Sequence, residues 1–424
     1  MLRSLAAPLA FFFLSACSSS GPGPTDGGTT DGGTTTPIIE TQALPIPHAS
    51  IYESEPTIAV SAGGTVLIAW LDIMSGTASL GYSFSRDRGV TWEPSQLLTL
   101  PDGRFGSNEI VQADAQGNFY LVTLGVNPDG KSSIVYLAKG SAGATTFGVP
   151  VEVSDKSVTA MRDATAFVIA HDGSMNIVWA EYEAAGSHVV AARSADGASF
   201  TWANISNGME ASAWPNLCAS KVTGRVAAVF VDASDNATGV RWSSDDGKTW
   251  PAENQNLVPL SEYPGEFPSC VQGALDLWIM QGTASVAPSR TYEPTLDNIE
   301  LTHSGDGGLT LDATVNAQDP AAGDKYMRAM AFLNDDQSLS LTYYAGSIDS
   351  HPAATVRYSH STDAGKTFST SIELFGPVLL TTSRAGKTWL GDLLGITADA
   401  QHTFFTYVDN SSGAAHINFT RVAR

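Results

Sequence analysis

Ser243-Ser244-Asp245-Asp246-Gly247-Lys248-Thr249-Trp250 reads S-x-D-x-G-x-T-W, and the chain returns to it repeatedly. Ser85 to Trp92 and Ser361 to Phe368 have the same form, while Ser304 to Leu311 keeps everything but the aromatic ring. Ser194 to Phe200 is one residue shorter, and Ser141 to Phe147 copies the short form without its Asp. In each box with an Asp (Asp87, Asp196, Asp245, Asp306, Asp363) the carboxylate is suited to accept bonds from nearby backbone N–H groups and Ser/Thr hydroxyls, closing an Asx-type turn. The Gly supplies positive φ. The final aromatic is available to pack beneath the turn. Such a motif builds hairpins and carries no chemistry of its own.

The boxes end at residues 92, 147, 200, 250, 311 and 368, with steps of 55, 53, 50, 61 and 57. A period near 50–55 with β signals throughout predicts an all-β propeller rather than a helical solenoid. A second signature recurs within the period, an apolar strand ending in aromatic-x-acid: Trp70-Leu71-Asp72, Trp179-Ala180-Glu181, Phe230-Val231-Asp232 and Tyr407-Val408-Asp409. The strand Thr65 to Trp70 is apolar and rich in β-branched residues, as a blade buried on both faces requires. One period beyond Phe368 falls where the chain stops, and one period before Trp92 falls near Pro37. The expected solution is seven four-stranded blades, with a strand in 38–47 completing the last blade; six blades is the alternative. Closure of this kind leaves no unpaired edge.

Ahead of the propeller, Arg3 precedes the apolar run Ser4 to Leu14, too short to span a membrane permanently. Leu14-Ser15-Ala16-Cys17 resembles the lipobox of bacterial lipoproteins, which implies a signal peptide over 1–16 and a lipid on Cys17. Acyl chains there would anchor the protein stably. Ser18 after the Cys resembles a signal for the outer membrane of a Gram-negative envelope, periplasmic or surface-facing. Residues 17–37, rich in Gly, Thr, Ser and Pro, read as a flexible tether, and 38–424 as the propeller. A net charge of −21 argues against binding nucleic acid or an acidic membrane surface. Cys218 and Cys270 occupy near-equivalent places in consecutive repeats, so they are either a disulfide between inner strands or two buried thiols. No Cys/His pair has zinc spacing, and no cofactor is required. The turns at Asp232–Asn236 and Asn334–Asp336 cluster hard oxygen ligands of the type calcium takes, without the spacing of a known loop.

Loops entering the inner strands carry Glu55, Glu109, Arg162, Asp163, Asn216, Glu266, Arg328 and Asp392; the second strands exit at Asp72, Glu181, Asp232 and Asp409. Trp214, Phe267, Tyr326 and Trp389 lie near them in sequence. A funnel rimmed by carboxylates, two arginines and aromatic platforms suits sugars, and arginine suits a carboxylate.

With the boxes in place, residues 38–424 resemble the Asp-box (bacterial neuraminidase repeat) propellers of the sialidase superfamily. The resemblance implies an arginine triad gripping a sialate carboxylate, a Tyr nucleophile assisted by Glu, and an Asp acid/base. The family's first arginine belongs to an Arg-Ile-Pro motif ahead of the first box, where this chain has Glu55-Pro56-Thr57. An acid there would repel the sialate. Sialidases also have six blades. Arg162 and Arg328 remain for an anion clamp and Tyr326 or Tyr343 for a nucleophile, with no motif to fix them. The reading is therefore an exported, lipid-anchored propeller that binds glycans or envelope and extracellular proteins without sialidase turnover. An exo-sialidase or other glycoside hydrolase in the funnel, and an envelope assembly module, are the alternatives. Oligomeric state is not legible.

Overall fold

The box turns dictate the architecture because each ends one strand and starts the next in a tight, reproducible way. In the computed structural model, Ser85 Oγ donates to Asp87 Oδ1 (2.8 Å), Thr91 N and Oγ1 donate to its carboxylate (2.8 and 2.6 Å), and Gly89 N donates to Ser85 Oγ (2.7 Å). The turns at Asp245, Asp306 and Asp363 repeat this geometry, and the short box at Asp196 uses the N–H groups of Ala198 and Ser199 instead. These bonds hold the box carboxylates below the usual range, Asp306 and Asp363 at about 2.

The structure describes residues 38–45, 50–74, 77–155, 159–183, 186–206, 209, 212–232, 235–264, 267–285, 296–347, 354–380 and 387–424. The expected signal peptide, tether and Cys17 lie outside them, as does Glu266. Within Pro37–Arg424 the strands form seven antiparallel blades, each numbered here in chain order and wound outward from an inner strand. The inner strands are Tyr52–Val60, Phe105–Ala113, Met161–Ile169, Ser212–Ala219, a broken strand (Tyr263–Pro264 with Ser269–Gln272), Lys325–Leu333 and Gly395–Ala398. In blade 7 the outermost strand is Ile39–Ala43, paired in register with His416–Ala423 from the other end of the chain. The N-terminal strand thus closes the ring, as expected from the repeat phase.

The aromatic-x-acid signature has a packing reason. Residues i and i+2 share a strand face, so the Trp70 indole donates to Asp72 (3.3 Å) and that of Trp179 to Glu181 (3.2 Å). Trp70 is fully buried and faces Gly81 across the sheet, where a Cβ would lie 2.3 Å from its ring. Phe230 stands over Gly239 in the same way. Each such buried ring contributes about 2–3 kcal/mol.

The boxes also join blades. The residue before each box Gly (Arg88, Asp246, Gly307, Ala364) has φ of 58°, 60°, 77° and 62°, which turns its carbonyl toward the preceding blade. There Arg421, Arg193, Arg225 and the Trp278 indole donate to these carbonyls at 2.8–3.1 Å. Trp92 packs edge-on to Phe419 of blade 7, and Phe147 packs on Tyr82 of blade 1. Between blades 4 and 5 the inner strands are tied by a Cys218–Cys270 disulfide.

Gly89 has φ of 81°, and a Cβ there would sit 2.3 Å from the Phe419 ring. Gly89→Ala therefore combines a left-handed strain with an overlap at the ring-closing interface, and we expect a loss of about 3 kcal/mol in urea denaturation. A loss below about 1 kcal/mol would show that the closing blade is not held through this turn.

Candidate functional site

Five inner strands break register at one residue with positive φ: Glu55, Asn108, Ala164, Trp214 and Arg328, at 51–56°. Pro56 and Pro215 follow two of them, and Pro lacks the N–H that a bulge leaves unpaired. The bulges lie at one level along the axis and form a neck. Arg328 and Asp392 line it with Asn108, Asn216 and Phe267, and the cavity left there is only ≈ 40 Å³.

The neck is sealed by contacts from blade to blade. Asn108 Oδ1 accepts from Ala164 N (2.8 Å) and its carbonyl accepts from Thr165 Oγ1 (2.8 Å). Trp214 and Phe267 pack with ring centroids 5.2 Å apart. The buried Arg328 guanidinium donates to Gly391 O (2.5 Å) and pairs with Asp392 (3.0 Å), while Asp392 N donates to Glu55 Oε1 (3.3 Å). Glu109, fully buried next to Glu55, is pushed well above the usual carboxylate range, first by burial and then by the Glu55 charge.

Several sequence candidates lie elsewhere. Arg162 is not in the neck: its Nε meets Glu181 at 2.7 Å, and its remaining N–H groups reach Ser133 O (2.6 Å) and Asp155 O (3.0 Å), binding blade 3 to blade 2. Arg162 and Arg328 therefore do not form one clamp. Asp163 points away from Arg162 along the same strand and accepts from Ala164 N (2.9 Å). Tyr326 and Tyr343 are buried in one apolar cluster, packed edge to face, and burial above all pushes Tyr326 up to about 12, the opposite of an activated nucleophile. Tyr326 Oη donates to Gly323 O (2.6 Å), and Tyr343 Oη accepts from Asp319 N (2.9 Å). Trp389 is buried on the approach to the inner strand of blade 7. The exit acids Asp72 and Glu181 serve their own strands' indoles rather than a funnel rim.

Beyond the neck the axis widens toward the face bearing the box turns, into a cavity of ≈ 570 Å³ walled by Ile169, Leu217, the disulfide and Phe332, with Lys221 near its mouth. Of the sequence candidates, the cysteine pair and the Asn334–Asp336 turn considered for calcium fall on this face, and none of the expected ligand-binding residues does. A cleft that sequence reading missed, of ≈ 230 Å³, lies between blades 2 and 3 and is walled by Asp155, Arg162, Glu181, Trp202 and Asn204. For metals, Glu181, Glu183 and His188 bring three ligand atoms within 4.8 Å of one another, but the Arg162 cation on Glu181 opposes a second positive charge. At the two turns considered for calcium, Asp336 accepts from Ser338 N and Oγ, and Asp232 is fully buried.

No family model and no curated protein sequence matches the chain. Solved structures do. A Dyadobacter fermentans protein of unknown function aligns at TM-score 0.53 and 14% identity, over 91% of this chain and 99% of that one. The GH93 α-L-arabinofuranosidase of Fusarium graminearum, complexed with arabinobiose, aligns at TM-score 0.54 and 7% identity, over 90% and 98%. The Hadza microbial sialidase Hz136 aligns at TM-score 0.51 and 15% identity, over 69% of this chain and 63% of that one. The shared feature is the propeller fold. The chain is thus similar in fold to sialidase and arabinofuranosidase propellers.

Arg162→Met and Arg328→Met each leave a buried carboxylate without its cation, and each should cost about 3–5 kcal/mol in chemical denaturation. A fold-neutral result for Arg328→Met would show that the native guanidinium is not needed to hold the ring. For Glu109 the raised pKa fixes the sign: its contribution is fully present below the ordinary value of 4.5 and is lost as pH rises through the folded pKa. Glu109→Gln, which mimics the protonated form, should match the parent below the ordinary value of 4.5 and exceed it increasingly as pH rises above it. A stability gap that stays constant with pH would place the ionised form in the native state.

Proposed function

We propose that the protein is an exported, lipid-anchored propeller that binds glycans or envelope proteins without sialidase turnover. The observation that carries this reading is the state of Arg328, the one candidate clamp arginine at the neck. Its guanidinium is engaged by Asp392 and the Gly391 carbonyl, in a space of only ≈ 40 Å³. A substrate carboxylate would have to displace a buried acid to reach it. Glu55, where the sialidase resemblance calls for arginine, receives Asp392 N and adds negative charge. Two of the neighbours in fold are glycoside hydrolases, which supports a saccharide as the ligand class. The acylation of Cys17 in an Asp-box lipoprotein belongs to the same reading, and a palmitate analogue should label the parent but not Cys17→Ala.

A second reading has one observation in its favour. Glu109, a buried carboxyl with raised pKa beside the second carboxyl of Glu55, is what a general acid of a glycoside hydrolase requires. The two readings separate on a panel of fluorogenic glycosides that includes the sialoside and the arabinofuranoside. The binding reading expects hydrolysis no faster than the blank, together with retention of glycans on an array. Turnover that disappears in Glu109→Gln, with the variant's fold intact by circular dichroism, would replace binding with hydrolysis.

A further inference from the structure

The chain has nine tryptophans, and Trp202 alone is exposed, at 50%. It lies on Thr201–Asn204, the outermost strand of blade 3, where a large ring gains little from the core. Its indole N–H donates to Val153 O of blade 2 at 2.8 Å. That bond explains where the ring sits. It does not explain why one face remains open above a cleft with a buried ion pair in its wall. Below Trp202 the cleft is lined by Arg162 and Glu181, paired at 2.7 Å with side chains 1% and 9% exposed, and by Asp155, Trp179 and Asn204.

We propose that this cleft between blades 2 and 3 is a saccharide subsite for a single neutral pyranose ring, stacked on Trp202. The assignment rests on the glycan reading above but moves the sugar off the propeller axis. The aromatic face offers the C–H side of a sugar a flat apolar partner, and the hydrogen bond to blade 2 holds it there before any ligand arrives, so little side-chain freedom is lost on binding. The acids and the amide are polar groups of the kind sugar hydroxyls bond, and Arg162 fixes the orientation of Glu181. A volume of ≈ 230 Å³ is below the range of drug-sized pockets, about 300–1,000 Å³, so one ring enters and the remainder of a glycan stays outside. Asp155 and Glu181 against the single Arg162, with Glu183 close by, disfavour a sugar that carries its own carboxylate. The class is therefore a neutral hexose or N-acetylated hexosamine rather than a sialoside.

The test uses the full-length chain on an array of neutral, N-acetylated and sialylated glycans, followed by titration of the tightest neutral binder. Because Trp202 is the exposed indole, bound sugar should shield part of the intrinsic fluorescence from acrylamide. Trp202→Ala should weaken the Kd about tenfold or more, and Trp202→Phe, which keeps a ring, should lose about threefold or less. Lys221→Ala, at the opposite mouth of the axis, should bind as the parent does. Neutral-glycan binding that survives Trp202→Ala would overturn the off-axis subsite while leaving the glycan reading intact. Preference for sialylated glycans would overturn the ligand class. Failure of the parent to bind any glycan on the array would remove the glycan branch of the general reading and the subsite with it.

Discussion

A backbone carbonyl turned by positive φ into the neighbouring blade is the interaction on which the ring depends. A four-stranded blade has no stable existence alone, because both of its faces are apolar and need neighbours. Burial brings blades together but does not fix their angle, since the contact of two sheet faces is non-directional. The box turn adds the direction. Its two successive left-handed residues, such as Arg88 and Gly89, present a carbonyl that a donor on the preceding blade must meet. The same turn places Trp92 against Phe419, so one local sequence supplies the hydrogen bond and the wedge together. The Asp carboxylate does not contact the next blade in this arrangement. It holds the turn in a conformation that non-glycine residues adopt at a cost, which accounts for the strictness of the motif at positions that remain exposed.

A similar division applies at the axis. The bulges in the inner strands turn side chains that would otherwise alternate into and out of the channel, and they do so at one level around the ring. Charge placed at that level is in a confined space of low dielectric, where it is costly unless paired. Arg328 and Asp392 pair across blades 6 and 7. Glu55 takes a backbone N–H, and burial with the nearby Glu55 charge raises the Glu109 carboxyl well above the usual range. The polar groups of the neck are therefore committed to closing the ring, and groups so committed are poor candidates for gripping a mobile substrate.

What could be read in the sequence follows from the range of each interaction. The boxes and the aromatic-x-acid strands are local patterns, closed within about eight residues, so the repeat, the seven blades and the closing N-terminal strand were legible. The roles of the charged residues were not. Arg162 and Asp163 are adjacent in sequence and read as one loop feature, yet strand alternation sends Arg162 to Glu181 and Asp163 elsewhere. Tyr326 and Tyr343 lie seventeen residues apart, and only strand pairing shows that they pack on each other inside the protein. Trp202 left a faint signal, a tryptophan in the short polar run Thr201-Trp202-Ala203-Asn204, where an edge strand has no need of one.

The position of that tryptophan follows from how the fold distributes its constraints. At the axis seven strands converge, and every side chain is answerable to two neighbours at once. At the outer edge a blade's fourth strand pairs on one side only and contributes little to the core; in blade 3 it is a four-residue strand exposed throughout. A residue there can change with small cost to the ring, provided the blade interface beneath it stays anchored. The Arg162–Glu181 pair and the Trp202–Val153 bond provide that anchor between blades 2 and 3, so the edge is held rigid without being buried. Rigidity with exposure is what a recognition surface needs, since a platform already in place gives up little entropy when a ligand docks. In this propeller the neck of the axis offers rigidity without room, and the groove between two outer edges offers both.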